Sequence, residues 1–172
     1  TYYHGGMDQE ERERALIQFR NGSVSYLITT DLAARGLDIP EIKFILHYHL
    51  PPREKEFTHR NGRTARMNQD GIAYILHWEG EELPEFIEEV VAETLHIEDL
   101  EKSSLPAPIK WETLYITGGR RDKISKGDVA GFLIKQGQLN KDHIGIIEIK
   151  QDSTYVGVQA RIARDLINKT NN

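Results

Sequence analysis

The sequence predicts an α/β protein in which a parallel sheet flanked by helices is followed by a small α+β domain. Three observations predict it. Strand-like runs at residues 26–30, 44–50 and 71–78 alternate with helix-like sequence, the order expected of a parallel sheet covered by helices. The run SSLPAP at 103–108 interrupts the periodicity. Beyond it the elements follow the order strand, helix, strand, strand, helix.

The first helix is expected over residues 9–20. Asp8 precedes Gln9, Glu10 and Glu11, which places acids at the positive end of the helix dipole, and Asn21-Gly22 supplies the stop. Between residues 79 and 101 ten acids surround Phe86, Ile87, Val90, Val91, Leu95 and Ile97, predicting an amphipathic acidic helix packed on the sheet with its charges as a solvated face. After the break, strands are expected at 113–117, 144–149 and 154–158, with helices at 126–135 and 160–168. This βαββα order lacks one strand of the βαββαβ arrangement used by RNA-recognition modules. The expected boundaries are a first domain over 1–101, N-terminally truncated, a linker over 102–110, and a second domain over 111–172, C-terminally truncated.

Composition narrows the function classes. A chain of 172 residues with 38% hydrophobic residues suffices for a real core in one ordinary or two small domains. No apolar run approaches eighteen residues and no basic-then-apolar leader is visible, so a cytoplasmic setting is expected. With no cysteine there are no disulfides, thiol nucleophiles or Cys-based zinc sites, and the seven histidines show no HExxH spacing; no metal ligands are expected. The net charge of −5 conceals a division: residues 1–109 carry 11 cations against 20 acids, whereas residues 110–172 carry 11 against 7. A basic C-terminal third suits the sequence-independent attraction of nucleic-acid phosphates.

Two segments of the first domain carry chemistry. TTDLAARGLDIP at 29–40 runs from a strand end into a polar turn, where backbone amides, the Thr30 hydroxyl and the flexible Gly36 suit close approach to phosphates. An ordinary strand-to-helix loop accounts for this segment equally well. HRNGRTAR at 59–66 gathers His59, Arg60, Arg63 and Arg66. On a helix, Arg63 and Arg66 would project to one side and hold several phosphate oxygens together, with Gly62 permitting close approach. The alternative is surface pairing with the acids after Glu79.

Together these segments resemble motifs V and VI of DEAD-box RNA helicases, and His4-Gly5-Gly6 through Asn21-Gly22, with Gln9-x-x-Arg12, resembles the block before them. The resemblance covers residues 1 to about 100 and implies the second of two RecA-like domains, which close around ATP on one side and single-stranded RNA on the other. It implies that Arg63 and Arg66 are arginine fingers stabilising charge on the transferring phosphoryl group, with His59 and Arg60 organising the domain interface. Asp38 resembles the residue facing the ATP ribose, and Gly36 lies in the same segment. Gly5, Arg12, Thr30 and Arg35 resemble residues on the RNA side. Asn61 departs from the family, standing where an aliphatic residue is commoner, and Ala65 replaces a usual glycine. Neither GxxxxGK[ST] nor DEAD occurs, so ATP with Mg2+ is expected to bind mainly to an absent first RecA-like domain acting in cis, and the chain alone is expected to be inactive.

In the second domain the strand around Leu114-Tyr115-Ile116 leads into four cations within seven residues: Arg120, Arg121, Lys123 and Lys126. A phosphate-binding turn and a solubilising loop are both compatible with that pattern. Continuing through Val129-Ala130-Gly131-Phe132, residues 144–147 and residues 153–156, the domain resembles the C-terminal domain of DbpA-type bacterial DEAD-box helicases, a relative of RNA-recognition motifs. That resemblance implies binding of a hairpin in large-subunit ribosomal RNA during ribosome assembly. The aromatic-rich RNP1 pattern is missing around Tyr155, which reads either as an RNA contact or as core, so the cationic turn is the favoured surface. The expected function is therefore part of an ATP-dependent RNA helicase. The alternatives are a helicase with broader RNA substrates and a non-catalytic RNA-binding adaptor.

Overall fold

Asp8 begins the first helix as its composition predicts. In the computed structural model, which describes residues 1–31, 42–64, 71–104 and 106–170, the Asp8 carboxylate accepts from the Glu11 amide at 2.8 Å and the Glu11 side chain accepts from the Asp8 amide at 3.1 Å. This reciprocal capping satisfies two otherwise orphaned donors. The helix, α1 (Gln9–Arg20), buries Ala15 and Ile17. Its end is closed by Gly22 at φ +69°, a left-handed conformation that suits glycine. There the Gly22 amide donates to the Phe19 carbonyl at 3.1 Å and the Ser23 amide to the Gln18 carbonyl at 2.9 Å. Strands β1 (Tyr2–Tyr3) and β2 (Ile28–Thr29) flank α1 and pair in parallel. The expected strand at 26–30 is shortened because β1 offers only two partner residues.

The structure resolves into two compact units: residues 1–29 with 107–172, and residues 30–106. The break at 106/107 lies within the expected linker, whereas the β1–α1–β2 segment joins the C-terminal domain.

In the second unit, β3 (Phe44–His47) pairs in parallel with β4 (Ile72–Ile75), and α2 (Glu54–Asn61) lies between them in sequence. His47, Phe57 and Ile87 are buried, and the Phe57 ring packs 5.3 Å from His47 and 6.0 Å from Phe86. The acidic helix expected over 79–101 is a correction: only α3 (Glu85–Glu88) is α-helical, with a 3₁₀ turn at Ile97–Asp99. Glutamates repeat four residues apart at 81, 85, 89 and 93, so each turn would stack like charges. Pro84 sits at the N-cap, and Val90 and Leu95 are exposed rather than packed.

The C-terminal domain follows the expected order. β5 (Trp111–Thr117), β6 (Ile144–Ile149) and β7 (Ser153–Gln159) form an antiparallel sheet ordered β5-β7-β6, with α4 (Lys126–Lys135) and α5 (Ala160–Thr170). Val156 and Val158 of the central strand pack with Val129, Leu133, Leu139, Ala163 and Leu166 into one core. Ser125 caps α4, accepting from the Asp128 amide at 3.2 Å while the Asp128 carboxylate accepts from the Ser125 amide at 2.9 Å. Among the described residues no helix is long and apolar enough to cross a membrane.

Candidate functional site

Helix α2 places acids, Glu54 and Glu56, in its first turn and His59 and Arg60 in its last, complementing its dipole. Arg60 holds both carboxylate oxygens of Asp31 in a guanidinium fork, the Asp31 Oδ2 contact being 3.0 Å, and donates through Nη1 to the His49 carbonyl at 2.9 Å. Its carboxylate partner is thus Asp31 and not an acid of the 79–101 stretch. The same Nη1 lies 3.4 Å from Nδ1 of His47, whose Nε2 lies 2.8 Å from Oδ1 of Asn61. Burial, above all, pushes the His47 pKa below the ordinary histidine value, and the Arg60 charge adds to it against the opposing Asn61 bond.

The expected helical placement of Arg63 does not arise, because α2 ends at Asn61 and is capped by Gly62. Arg63 is half-buried in the turn beyond, where its carbonyl accepts from the Ile42 amide at 3.2 Å and its own amide donates to Arg60 at 3.3 Å. The turn is thereby tied to the entry of β3. His59 and Thr30 are exposed. Arg35, Gly36, Asp38 and Arg66 lie outside the described residues. Sequence reasoning missed Asp31, His47 and His49; Asp31, directly after Thr30 in the first motif, was within reach.

Gly5 and Arg12 belong to the other unit. Gly5 is exposed in the turn after β1, and Arg12 donates to Gln9 at 2.9 Å, so the Gln9-x-x-Arg12 spacing is a direct i,i+3 contact.

The cationic turn is built on the hairpin between β6 and β7. Gly118 donates to the Asp152 carbonyl at 3.1 Å, Arg120 to that of Lys150 at 2.9 Å and Arg121 to that of Gln151 at 3.0 Å, while the Thr154 hydroxyl donates to the Gly118 carbonyl at 2.9 Å. Arg120, Arg121 and Lys123 are therefore exposed from a fixed backbone, and Lys126 follows at the start of α4. Arg121 makes a solvent-exposed ion pair with Asp152 at 2.8 Å, a contact of small net worth that phosphate can replace.

Tyr155 is buried, 4% exposed, and its ring meets its cross-strand neighbour Tyr115 edge-on at 5.5 Å. On that face of the sheet α1 contributes Glu13, 2.9 Å from Lys150, and Arg20, 2.9 Å from Glu148, while Asn21 donates to Thr113 at 3.1 Å. Hydrogen bonds from Gln9 and Lys150 hold the Glu13 carboxyl below its usual value, and a bond to Tyr155 raises that of Arg14. Tyr115, 55% exposed, is the accessible ring of the pair, and the sequence reading did not single it out.

Comparison with known proteins fits both halves. Residues 1–68 match the helicase conserved C-terminal domain and residues 113–172 the DbpA RNA binding domain. The ATP-dependent RNA helicase DbpA of Bacillus subtilis is 31% identical over 90% of this chain and 38% of its own length. Its Escherichia coli namesake is 33% identical over 93% of this chain and 36% of its own length. The chain thus spans less than two-fifths of either relative. The C-terminal domain of the DEAD-box protein Dbp5 aligns at 35% identity with a TM-score of 0.40, covering 46% of this chain and 48% of that one. Both matched regions occur in this order, consistent with a fragment of a DbpA-type DEAD-box helicase.

Proposed function

We infer that this chain provides the second RecA-like half and the RNA-targeting domain of an ATP-dependent RNA helicase acting on structured large-subunit ribosomal RNA in the cytoplasm. The observation that carries the reading is the presence in one polypeptide of the His59–Arg66 segment, with Arg63 in a turn tied to β3, and a domain whose cations stand on a rigid hairpin. The helicase portion is assigned to residues 1–101, the linker to 102–110 and the RNA-binding domain to 111–172.

In this reading Arg63 and Arg66 stabilise negative charge that builds on the transferring phosphoryl group, while Arg60, spent on Asp31 and His49, sets the end of the helix that precedes them. ATP with Mg2+ supplies the phosphoryl group and neutralises its oxygens. A guanidinium of half-buried Arg63 at a helix end suits such an anion in charge and planarity, and Asp38 and Gly36 are assigned to the nucleotide side. Gly5, Arg12, Thr30 and Arg35 are assigned to the RNA strand, His59 to the domain interface. Arg120, Arg121, Lys123 and Lys126 attract the phosphates of a hairpin, and Tyr115 with Tyr155 lies beside them on the sheet.

The test is ATP hydrolysis by the full-length protein with a ribosomal hairpin RNA and with a scrambled RNA. Hydrolysis stimulated by the hairpin alone supports the reading. Equal stimulation by both would point to a helicase with broader substrates, and no hydrolysis with any RNA to a binding adaptor.

A further inference from the structure

A buried polar cluster of the second unit adjoins the arginine segment. His47, the last residue of β3, is 2% exposed and packed on the Phe57 ring. Its two ring nitrogens face different partners: Nη1 of Arg60 at 3.4 Å from Nδ1, and Oδ1 of Asn61 at 2.8 Å from Nε2. A guanidinium is a donor only, so Nδ1 must present its lone pair to Arg60. The ring proton then belongs on Nε2, where the Asn61 carbonyl oxygen accepts it. One tautomer of the neutral imidazole satisfies both contacts, and no protonated form does.

Resting on the helicase reading above, we propose that His47 is a positioning residue, whose neutral Nε2–H imidazole latches the end of α2 through Asn61 and Arg60 and so holds the turn carrying Arg63 for ATP hydrolysis. Asn61 is the residue that departs from the commoner aliphatic side chain, and its partner explains the departure: a buried histidine needs an acceptor at that place. The charged groups facing the ring are Arg60 from α2 and Asp31 from the segment after β2; Phe57 covers it as an apolar wall. Protonation turns Nδ1 into a donor directed at a guanidinium, removing the contact and setting two cations together in a buried site. Arg60 then loses one of its three anchors, and the Arg60–Arg63 turn bond loses its fixed base.

Two measurements on the full-length protein test this. The first is RNA-stimulated ATP hydrolysis from pH 5 to 8, comparing wild type with His47→Asn, whose amide oxygen offers Arg60 an acceptor that does not titrate. Below the ordinary histidine value of 6.5 the wild-type rate falls toward an acid limb of about tenfold per pH unit. In His47→Asn that limb is lost, so the ratio of the rate at pH 8 to that at pH 5 is smaller than in wild type. An acid limb unchanged by the substitution overturns the latch. The second is the imidazole nitrogen NMR signature of wild-type His47, which needs no catalysis and stands if the variant fails to fold. The latch requires the neutral Nε2–H tautomer titrating below the ordinary value; an Nδ1–H tautomer, or titration at or above that value, overturns it. Absence of RNA-stimulated hydrolysis in wild type, by contrast, removes the helicase reading while the NMR result still decides the His47 geometry.

Discussion

Gly119 lies against the Gln151 carbonyl so closely that a Cβ at residue 119 would stand 2.7 Å from that oxygen and equally close to the Ser153 amide nitrogen. Backbone atoms on both sides leave nothing to swing away. Its neighbour Gly118 adopts φ +114°, where a Cβ would also stand 2.8 Å from the Ile124 side chain. Replacing Gly119 by Ala should therefore force the cationic turn off the hairpin and cost about 1–3 kcal/mol of C-terminal domain stability. Urea denaturation of Gly119→Ala and Gly118→Ala checks this; a midpoint equal to wild type would contradict the packing described.

Core and surface positions of α4 should separate sharply. Leu133 is 2% exposed within the cluster formed with Val156 and Leu166, whereas its neighbour Ile134 is 41% exposed. Leu133→Ala is expected to lose about 2–5 kcal/mol through lost transfer energy and a residual cavity. Ile134→Ala should stay within about 1 kcal/mol of wild type. Denaturation midpoints with unchanged m values measure both.

Arginines of the helicase segment should affect rate and not affinity. Arg63→Ala or Arg66→Ala in the full-length protein should lower kcat for RNA-stimulated ATP hydrolysis by about 10³-fold or more. Hairpin affinity, measured by fluorescence anisotropy, should remain within about twofold, because the RNA-targeting cations lie in another domain.

Acid should weaken the fold in stages. The folded pKa of His47 is depressed, mainly by burial, so on acidification the unfolded chain takes up its proton first; this contribution is complete above 6.5 and is lost as pH falls below it. The carboxyls of Glu13, held down first by Gln9 and then by Lys150, and of Asp128, held down by Ser125, are also depressed. Their contributions are present above the unfolded values of 4.5 and 3.8 and disappear as pH falls through the folded ones. Thermal melting by circular dichroism should show a first decline in midpoint below pH 6.5 that His47→Asn removes, then a second that it leaves in place.

What was legible in the sequence was local. Asp8, Glu11 and Gly22 delimit α1, because a cap is satisfied within a few residues of itself; the equally local Ser125–Asp128 cap of α4 was not read from the sequence. The acidic stretch after Glu79 misled, since its apolar spacing is helical but its glutamates stack at four-residue intervals. The contacts that shape the arginine segment were hidden for a different reason. Arg60 and Asp31 are 29 residues apart and His47 and Asn61 are 14 apart, so no periodicity joins them. Tyr155 illustrates a third limit: strand alternation puts it on the same face as Tyr115, but which ring is covered depends on side chains such as Arg14 that arrive from far away in the chain.

The most direct test of the account is equilibrium binding of this chain to a large-subunit ribosomal hairpin and to a scrambled control across several salt concentrations, with Arg120, Lys123 and Lys126 replaced by Ala singly and together. The account predicts selective binding of the hairpin, weakened by each substitution, with the log–log salt slope reduced by about one for each phosphate contact removed. Equal, weak and steeply salt-dependent binding of both RNAs, or selective binding untouched by the triple substitution, would contradict it.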